Sequence, residues 1–300
     1  MSSSLMLALA LTLGAGNDPF VRSRVDTGAA NDLNAHCLWW DHPDVPLIFH
    51  QNDQGNPDTT GDTEFEAAQR SIEEWQAAAE TCGHLQIQEG IRVADRKIGF
   101  VTGAADNRNI ILYRQRLCQG LVRTSDTCWS ALDCQNKYDC WDGQTGTIAL
   151  TTTTYDVKTG EIMDADIEMN AASFVFTTVS GPPCAQNLYH QDCVATDVEN
   201  TLTHELGHAL GLDHTSAIGS TMNPSAPPGE LSKRSLDPGT QQFVCEVYPR
   251  GAPPRDCVIE PLKETLGESA SCSAVGGSSF VLALTAGALI VARRRRSLRG

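Results

Sequence analysis

The sequence predicts an α+β domain in which helices and a sheet pack as layers. Apolar residues recur at helical spacing from Phe65 to Ala79, and a second such run extends from Val198 to Ala209. Between them, apolar and polar residues alternate strictly along Met163–Asn170, which predicts a strand with one buried and one solvated face. The order helix, strands, helix indicates the α+β class.

Local signals indicate where these elements begin. Thr63–Glu66 and Thr196–Glu199 have the Thr-x-x-Glu spacing of a capping box, so each is expected to open a helix. A third, shorter helix is predicted over Asp237–Val247, where proline follows the aspartate. Further strands are predicted at Leu47–His50, Leu85–Gln88, Asn109–Arg114 and Thr147–Tyr155.

The charge distribution argues against a nucleic-acid partner. The chain has 22 Lys and Arg against 37 Asp and Glu, a net charge of −15. Five of the basic residues fall in the last eight positions, so the rest of the chain is more acidic than the net charge indicates. An acidic body of this kind repels phosphate backbones.

The first sixteen residues have the layout of a secretory signal peptide. Leu5–Leu13 is a short apolar core, and small residues follow it. No Lys or Arg precedes the core, so a buried amino-terminal strand stays as the alternative. A short segment, 17–35, would then lead into a folded domain over 36–248.

Cysteine usage also favours export. Ten of the eleven cysteines lie in the acidic body, an even number that could close five disulfides, whereas Cys272 stands apart. No Cys-x-x-Cys pair occurs, which disfavours a zinc ribbon. Four of the ten lie close together and predict a disulfide-stapled insertion: Cys118, Cys128, Cys134 and Cys140.

The carboxyl terminus has the pattern of a membrane anchor. Ser273–Ala292 is a run of twenty uncharged residues, and Arg293–Arg296 follow it directly. Such a run matches the hydrocarbon thickness of a bilayer, and a basic cluster stays on the cytoplasmic side, so the domain would face outward. A buried core helix is the alternative. Residues 249–271 would form the linker.

This terminal segment, 272–300, resembles the MYXO-CTERM sorting signals of myxobacterial surface proteins. The resemblance rests on the order small residue, cysteine, apolar helix and arginine cluster. It implies cleavage near Cys272 by a sortase-like enzyme, with removal of the helix.

The most specific motif is His-Glu-x-x-His-x-x-Gly-x-x-His, formed by His204, Glu205, His208, Gly211 and His214. Histidines at i and i+4 lie on one helix face and can share a Zn²⁺ ion. A glycine can take the left-handed conformation that ends the helix. The chain then turns back, so that the third histidine can reach the same metal. Three neutral ligands leave a position open for water, and the glutamate can act as general base.

The motif resembles that of the metzincin metallopeptidases. Ser220–Pro224, with Met222 at its centre, looks like the Met-turn that lies beneath the zinc in that clan. The tyrosine ligand that some metzincins carry two residues after the methionine is replaced here by Pro224. The Met-x-Pro form is more similar to the matrixins.

That resemblance implies a twisted, mostly parallel sheet with an antiparallel edge strand, an active-site helix and a carboxyl-terminal helix. It also implies that a substrate-binding strand borders the cleft. The strand that resembles it is Met163–Asn170, with the candidate contacts Asp166, Ile167, Glu168, Met169 and Asn170.

Other family features are weaker here. No cysteine-switch segment precedes the domain, and the loop that binds a structural zinc in matrixins is not recognisable. His190 and Asp192 are a faint substitute for it. An acidic run could bind calcium through oxygen atoms, although turn chemistry explains the same residues: Asp53, Asn56, Asp58 and Asp62.

Together these patterns predict an exported zinc endopeptidase that acts on proteins or peptides, either secreted or held at the cell surface. An adhesion or binding module that keeps a structural metal site is the competing hypothesis.

Overall fold

The computed structural model describes residues 19–29, 32–41, 45–185, 192–258 and 291–299. The predicted signal peptide, Cys272 and most of the predicted apolar run lie outside these ranges. Within them, no helix combines the length and the apolar character that a membrane span requires.

Strands occur along the whole described chain: β1 Val21–Arg22, β2 Leu47–Gln51, β3 Ile87–Glu89, β4 Asn109–Tyr113, β5 Thr147–Asp156, β6 Ile162–Met169, β7 Phe176–Thr177, β8 Thr196–Asp197, β9 Leu212–Asp213 and β10 Val291–Arg299. Six of them form the central sheet, in the order β10-β5-β6-β4-β2-β3. β3, β2, β4 and β6 run parallel, and β5 pairs antiparallel with β6. The predicted, mostly parallel sheet with an antiparallel strand is therefore confirmed.

The helices are α1 Thr63–Cys82, α2 Cys128–Ala131, α3 Cys134–Tyr138, α4 Val198–Ala209 and α5 Pro238–Val247, with a 3₁₀ turn at Ser232–Arg234. The long helix α1 packs against α4 and β3, while α4 also packs against β5 and β6. Trp75 joins the two helices, since its buried Nε1 donates to the Thr203 carbonyl at 2.9 Å. The core between them fixes α4 relative to the sheet.

The helix caps differ from the sequence prediction. At the start of α1 the N-cap position is Asp62, and no side chain makes a capping bond. At the start of α4 the N-cap is Asp197, whose side chain accepts from the Asn200 backbone N–H. Both capping-box predictions were therefore wrong, because the helices start at other residues than the pattern required.

The prediction that Met163–Asn170 has one solvated face was also wrong. β6 pairs with β4 on one side and β5 on the other, and its polar residues are buried. Asp166 accepts from the backbone N–H groups of Gly99 at 2.5 Å and Ile110 at 2.9 Å. Burial raises the pKa of Asp166 well above its usual range, and the neighbouring Asp164 adds to the rise.

A buried ion pair accounts for the next polar position of β6. Arg114 Nε lies 2.7 Å from Glu168 Oε1, with both side chains almost completely inaccessible to solvent. Arg114 also forms an ion pair with Asp139, and Asp139 forms a second ion pair with Arg96. This network attaches the cysteine-rich insertion to the sheet. It covers the polar face of β6, so both faces of this strand are buried although apolar and polar residues alternate along it.

All ten cysteines in the described ranges are paired. The bridges are Cys37–Cys257, Cys82–Cys245, Cys118–Cys140, Cys128–Cys134 and Cys184–Cys193. The expectation of five disulfides in the body is confirmed, and the third and fourth bridges, Cys118–Cys140 and Cys128–Cys134, staple the predicted insertion.

Residues on both sides of the predicted 36–248 domain pack against it. β1 pairs antiparallel with β9, and Ser23 N–H donates to the Gly211 carbonyl at 2.8 Å. At the other end, Arg255 N–H donates to the Val247 carbonyl, and Cys257 is bonded to Cys37. Both flanking segments therefore belong to the packed unit up to residue 258.

The end of the chain is a strand in this structure. β10 includes Val291 and Ala292, which the sequence predicted as the last residues of a membrane-spanning helix. It pairs antiparallel with β5 and forms the outermost strand of the sheet on that side.

The buried ion pair generates a stability prediction. Replacing Arg114 by Met would leave Glu168 as a buried carboxylate without its guanidinium, so the free energy of unfolding should fall by about 3–5 kcal/mol. Urea denaturation measures the change. Arg70→Met is the matched control, because its ion pair with Glu199 is about half exposed on the arginine side and should be worth less than about 1 kcal/mol. Equal losses in the two variants would contradict the prediction.

Candidate metal centre

Three histidines converge at the carboxyl-terminal end of α4. His204 and His208 lie one turn apart on the helix, and their Nε2 atoms are 3.1 Å from one another. After the chain reverses, His214 Nε2 lies 3.3 Å from His204 Nε2 and 3.1 Å from His208 Nε2. The three predicted ligands therefore point at a common position.

These distances fit a single zinc ion. Nitrogens at about 2.0–2.1 Å from a tetrahedral zinc lie about 3.3–3.4 Å apart. The opposite ring nitrogens are also engaged: His204 Nδ1 donates to the Thr221 carbonyl at 2.6 Å and His208 Nδ1 to the Leu212 carbonyl at 2.9 Å. Such bonds fix the tautomer that turns the Nε2 lone pair towards a metal. Burial, reinforced by His208 and His214, lowers the pKa of His204 well below its usual value and keeps that ring neutral.

Gly211 makes the chain reversal possible. Its φ is +104°, in the region that glycine adopts easily and that other residues rarely adopt. A Cβ added there would lie 2.5 Å from the Leu38 carbonyl oxygen. Any side chain at this position would thus displace the segment that carries His214.

Met222 lies directly against α4 at the histidine cluster. A Cβ added to Gly207 would collide with Met222 Sδ. The helix and the methionine can therefore pack this closely only because residue 207 is a glycine. Thr215 N–H donates to the Met222 carbonyl at 3.0 Å, which ties the turn to the residue after His214. Met222 therefore packs on the helix that carries His204 and His208, and the placement of Ser220–Pro224 beneath a zinc ion stays a prediction of the resemblance.

Asp237, which the sequence predicted only as the start of the third helix, holds this turn in place. It accepts from the Gly239 N–H at the start of α5, as a helix N-cap does. It also accepts from Thr221 N–H at 2.8 Å and Ser220 Oγ at 3.1 Å. One carboxylate therefore couples α5 to the segment whose carbonyl orients His204.

Glu205 is completely buried beside the histidines. The Thr151 hydroxyl donates to Glu205 Oε2 at 2.5 Å. Thr151 lies near the middle of β5, so this bond links the glutamate to the antiparallel strand of the sheet. Sequence reasoning missed Thr151, because a threonine within a run of four threonines carries no local sign of such a contact.

A comparison with protein-family models adds an independent observation. The model of the matrixins, a family of peptidases, matches residues 40–248. The chain belongs to the matrixin family. A comparison with curated proteins found no match. Matrixins are zinc-dependent metallopeptidases. The histidine geometry therefore fits the same metal that the family uses.

The calcium site considered from the sequence of this matrixin gains no support from the geometry of the described residues. In the described ranges, no carboxylate of the acidic run between Asp53 and Asp62 belongs to a cluster of three or more His, Cys, Asp or Glu ligands. Instead, Glu64 accepts from Asn56 N–H at 3.2 Å and from the Thr59 hydroxyl at 2.7 Å, which is turn chemistry ahead of α1. His190 lies outside the described residues, and so does its predicted partnership with Asp192.

A second group of possible ligands, Cys37, Asp256 and Cys257, is explained without a metal. The two cysteines are bonded to one another, so neither offers a thiolate. Asp256 accepts from Cys37 N–H at 2.8 Å and pairs with His36. This group is a structural clasp between the two ends of the domain.

The histidine cluster generates a metal-binding prediction. The purified matrixin should hold about one zinc ion per chain, and His204→Ala, His208→Ala and His214→Ala should each reduce this content to near zero. Metal analysis after dialysis measures it. His50→Ala is the control, since His50 lies on β2 and bonds the Ile91 carbonyl. Full zinc content in one of the three variants would remove that histidine from the ligand set.

Asp237 generates a prediction about acid stability. Burial tends to raise the pKa of Asp237, but hydrogen bonds from Thr240, Thr221 and Ser220 outweigh it and lower the pKa below the usual value. A depressed folded-state pKa contributes stability above the unfolded value of about 3.9 and loses it as the pH falls through the folded value. Asp237→Asn should therefore be less stable than wild type at pH 7, and the difference should shrink below about pH 4.

Urea denaturation of zinc-free protein between pH 7 and pH 3 measures this difference without a contribution from metal release. Asp53→Asn, at an exposed position, is the control and should follow wild type throughout. A difference between Asp237→Asn and wild type that does not change with pH would contradict the prediction.

Proposed function

We propose that this matrixin is a zinc-dependent endopeptidase that cleaves extended segments of exported or extracellular proteins, with Glu205 as general base. The position of Glu205 carries the proposal. It is adjacent in sequence to one member of the histidine cluster, buried, and bonded through Thr151 to β5. A structural metal site would have no need for a buried carboxylate at this position.

The chemistry divides between the metal and the chain. A zinc ion held by His204, His208 and His214 supplies a Lewis acid that lowers the pKa of water and polarises a peptide carbonyl. Glu205 accepts the proton of the attacking water and transfers it to the leaving nitrogen. The Thr151 hydroxyl holds one carboxylate oxygen in place, so that the proton acceptor does not have to be oriented during the reaction.

The substrate-binding strand in this proposal is β5, in place of the sequence-predicted Asp166–Asn170. β6 lies between β4 and β5, whereas β5 packs next to α4, touches Glu205 and has the terminal strand β10 on its other side. An extended peptide that pairs with β5 gains main-chain hydrogen bonds that tolerate many sequences. Thr151 is the fifth of ten residues in β5, so the peptide would be held on both sides of Glu205. Binding on both sides favours cleavage within a chain.

The five disulfides support the proposal that the enzyme is exported. Disulfides persist in oxidising compartments and are rare in the cytosol. They agree with the predicted signal peptide over 1–16. Attachment to the cell surface through 272–300, with processing at Cys272, stays a prediction from the sequence.

The test separates metal binding from catalysis. Glu205→Gln removes the general base and no ligand, so the variant should keep its zinc and its fold but lose peptide hydrolysis by about a hundredfold or more in kcat. Hydrolysis of a quenched fluorescent peptide measures turnover, and metal analysis measures the zinc. The matched control is Glu199→Gln on the same helix, whose partner is Arg70 at the surface. It should cleave at nearly the wild-type rate.

Two outcomes would overturn the proposal. Near wild-type turnover by Glu205→Gln would remove the role of that residue. Zinc-loaded wild type that cleaves no peptide, with a chelator causing only loss of stability, would favour the binding module with a structural metal.

A further inference from the structure

The position that the proposed function assigns to substrate is occupied by the end of the chain itself. β10 pairs antiparallel with β5 from Val291 opposite Asp156 to Leu298 opposite Ala149, with a register shift only at the last residue. β10 also lies against α4, the helix that carries two of the histidines. The segment thus lies along the edge of β5 that β6 does not occupy, next to α4.

The register brings this segment past the catalytic glutamate. Arg296 lies opposite Thr151, the residue whose hydroxyl bonds Glu205. Residues of β10 continue in both directions from this point, as the proposed substrate would. One edge of β5 is already taken by β6, so β10 and a peptide substrate require the same remaining backbone groups.

Charge favours the same arrangement. Five of the nine residues of β10 are arginines, and no acidic residue follows Glu268. The rest of the chain is acidic, so a basic strand is attracted to it. The covalent connection through residues 259–290 keeps the segment close to β5, which raises its effective concentration above that of a free peptide.

We propose that Val291–Arg299 is a tethered inhibitor, which occupies the substrate's place on β5 and must leave before a peptide can bind. This proposal rests on the proposed endopeptidase function. Inhibition is competitive, because the segment blocks the strand edge without altering the metal ligands. Cleavage of the connection, or insertion of the apolar run before Arg293 into a membrane, would each remove the segment and open the cleft.

The consequence is that the enzyme is restrained until its carboxyl terminus is processed or inserted. The sequence prediction of an anchor and the observed strand are then two alternative positions of one segment. Arginines on the far side of a bilayer cannot also pair with β5.

The first experiment uses the full chain with a recognition site for a specific protease placed within residues 259–271. Peptide hydrolysis is measured before cleavage and after cleavage with removal of the released segment. The expected result is a fall in KM of about tenfold or more with little change in kcat, as for loss of a competitive inhibitor. Equal KM values in an active enzyme would overturn the proposal.

The second experiment tests strand pairing in the uncut chain. Arg294→Pro/Arg295→Pro removes two adjacent backbone N–H groups, one of which faces β5 whatever the pairing pattern. The matched control, Arg294→Ser/Arg295→Ser, removes the same charges but keeps the backbone donors. The proline variant should have the low KM of the cleaved enzyme, and the serine variant should stay closer to wild type. Identical KM values in the two variants would show that pairing does not carry the inhibition.

A readout that does not depend on activity separates this proposal from the proposed function. Hydrogen exchange at the backbone amides of residues 147–156 should be slow in the full chain and faster after cleavage, in Glu205→Gln as in wild type. Changed exchange without any chelator-sensitive hydrolysis would mean that the strand is present but the endopeptidase function fails. Hydrolysis without changed exchange would overturn the inhibitor alone.

Mass spectrometry of the incubated full chain completes the test. An intact 291–299 segment is expected for an inhibitor. Rapid cutting within that segment, abolished by Glu205→Gln, would make it a substrate and would overturn the proposal.

Discussion

The convergence of three imidazole nitrogens to within 3.1–3.3 Å is the constraint on which the rest of this structure depends. α4 supplies two of them, so the chain must reverse within a few residues to bring in the third, and Gly211 allows this reversal. The helix also needs support from below, which Met222 gives by packing on Gly207. Burial lowers the pKa of His204 well below its usual value, and a neutral ring there repels its neighbours less than an imidazolium ion would.

The sheet contributes to the site through a strand whose importance is not visible in its own sequence. β5 contacts the centre through the Thr151 hydroxyl, and so connects Glu205, the proposed general base, to the surface where an extended chain can pair. In the structure that surface is already covered by β10. Under the proposed function, α4 supplies the residues that act on the substrate, whereas the last residues of the chain control access to them.

Sequence reasoning succeeded where the determining interactions are local. The histidine spacing, the positive φ at Gly211 and the extents of β2, β4 and β5 depend on residues close to one another in the chain. It failed at β6, because the face predicted to be solvated is covered by Arg114 and by the loops that bond Asp166. The link between Asp237 and Thr221, and the partner of β10, depend on residues far apart in sequence, which a periodic pattern does not encode.

The clasp formed by Cys37 and Cys257 has a mechanical consequence. The two cysteines are 220 positions apart, yet the bond places the exit of the chain next to its entry. Tension applied beyond residue 258, for example through an attachment at the carboxyl terminus, passes across a covalent bond to residue 37. The load path bypasses α4, the Met222 turn and the sheet. A protease fixed by its tail could thus be pulled without its catalytic geometry being deformed.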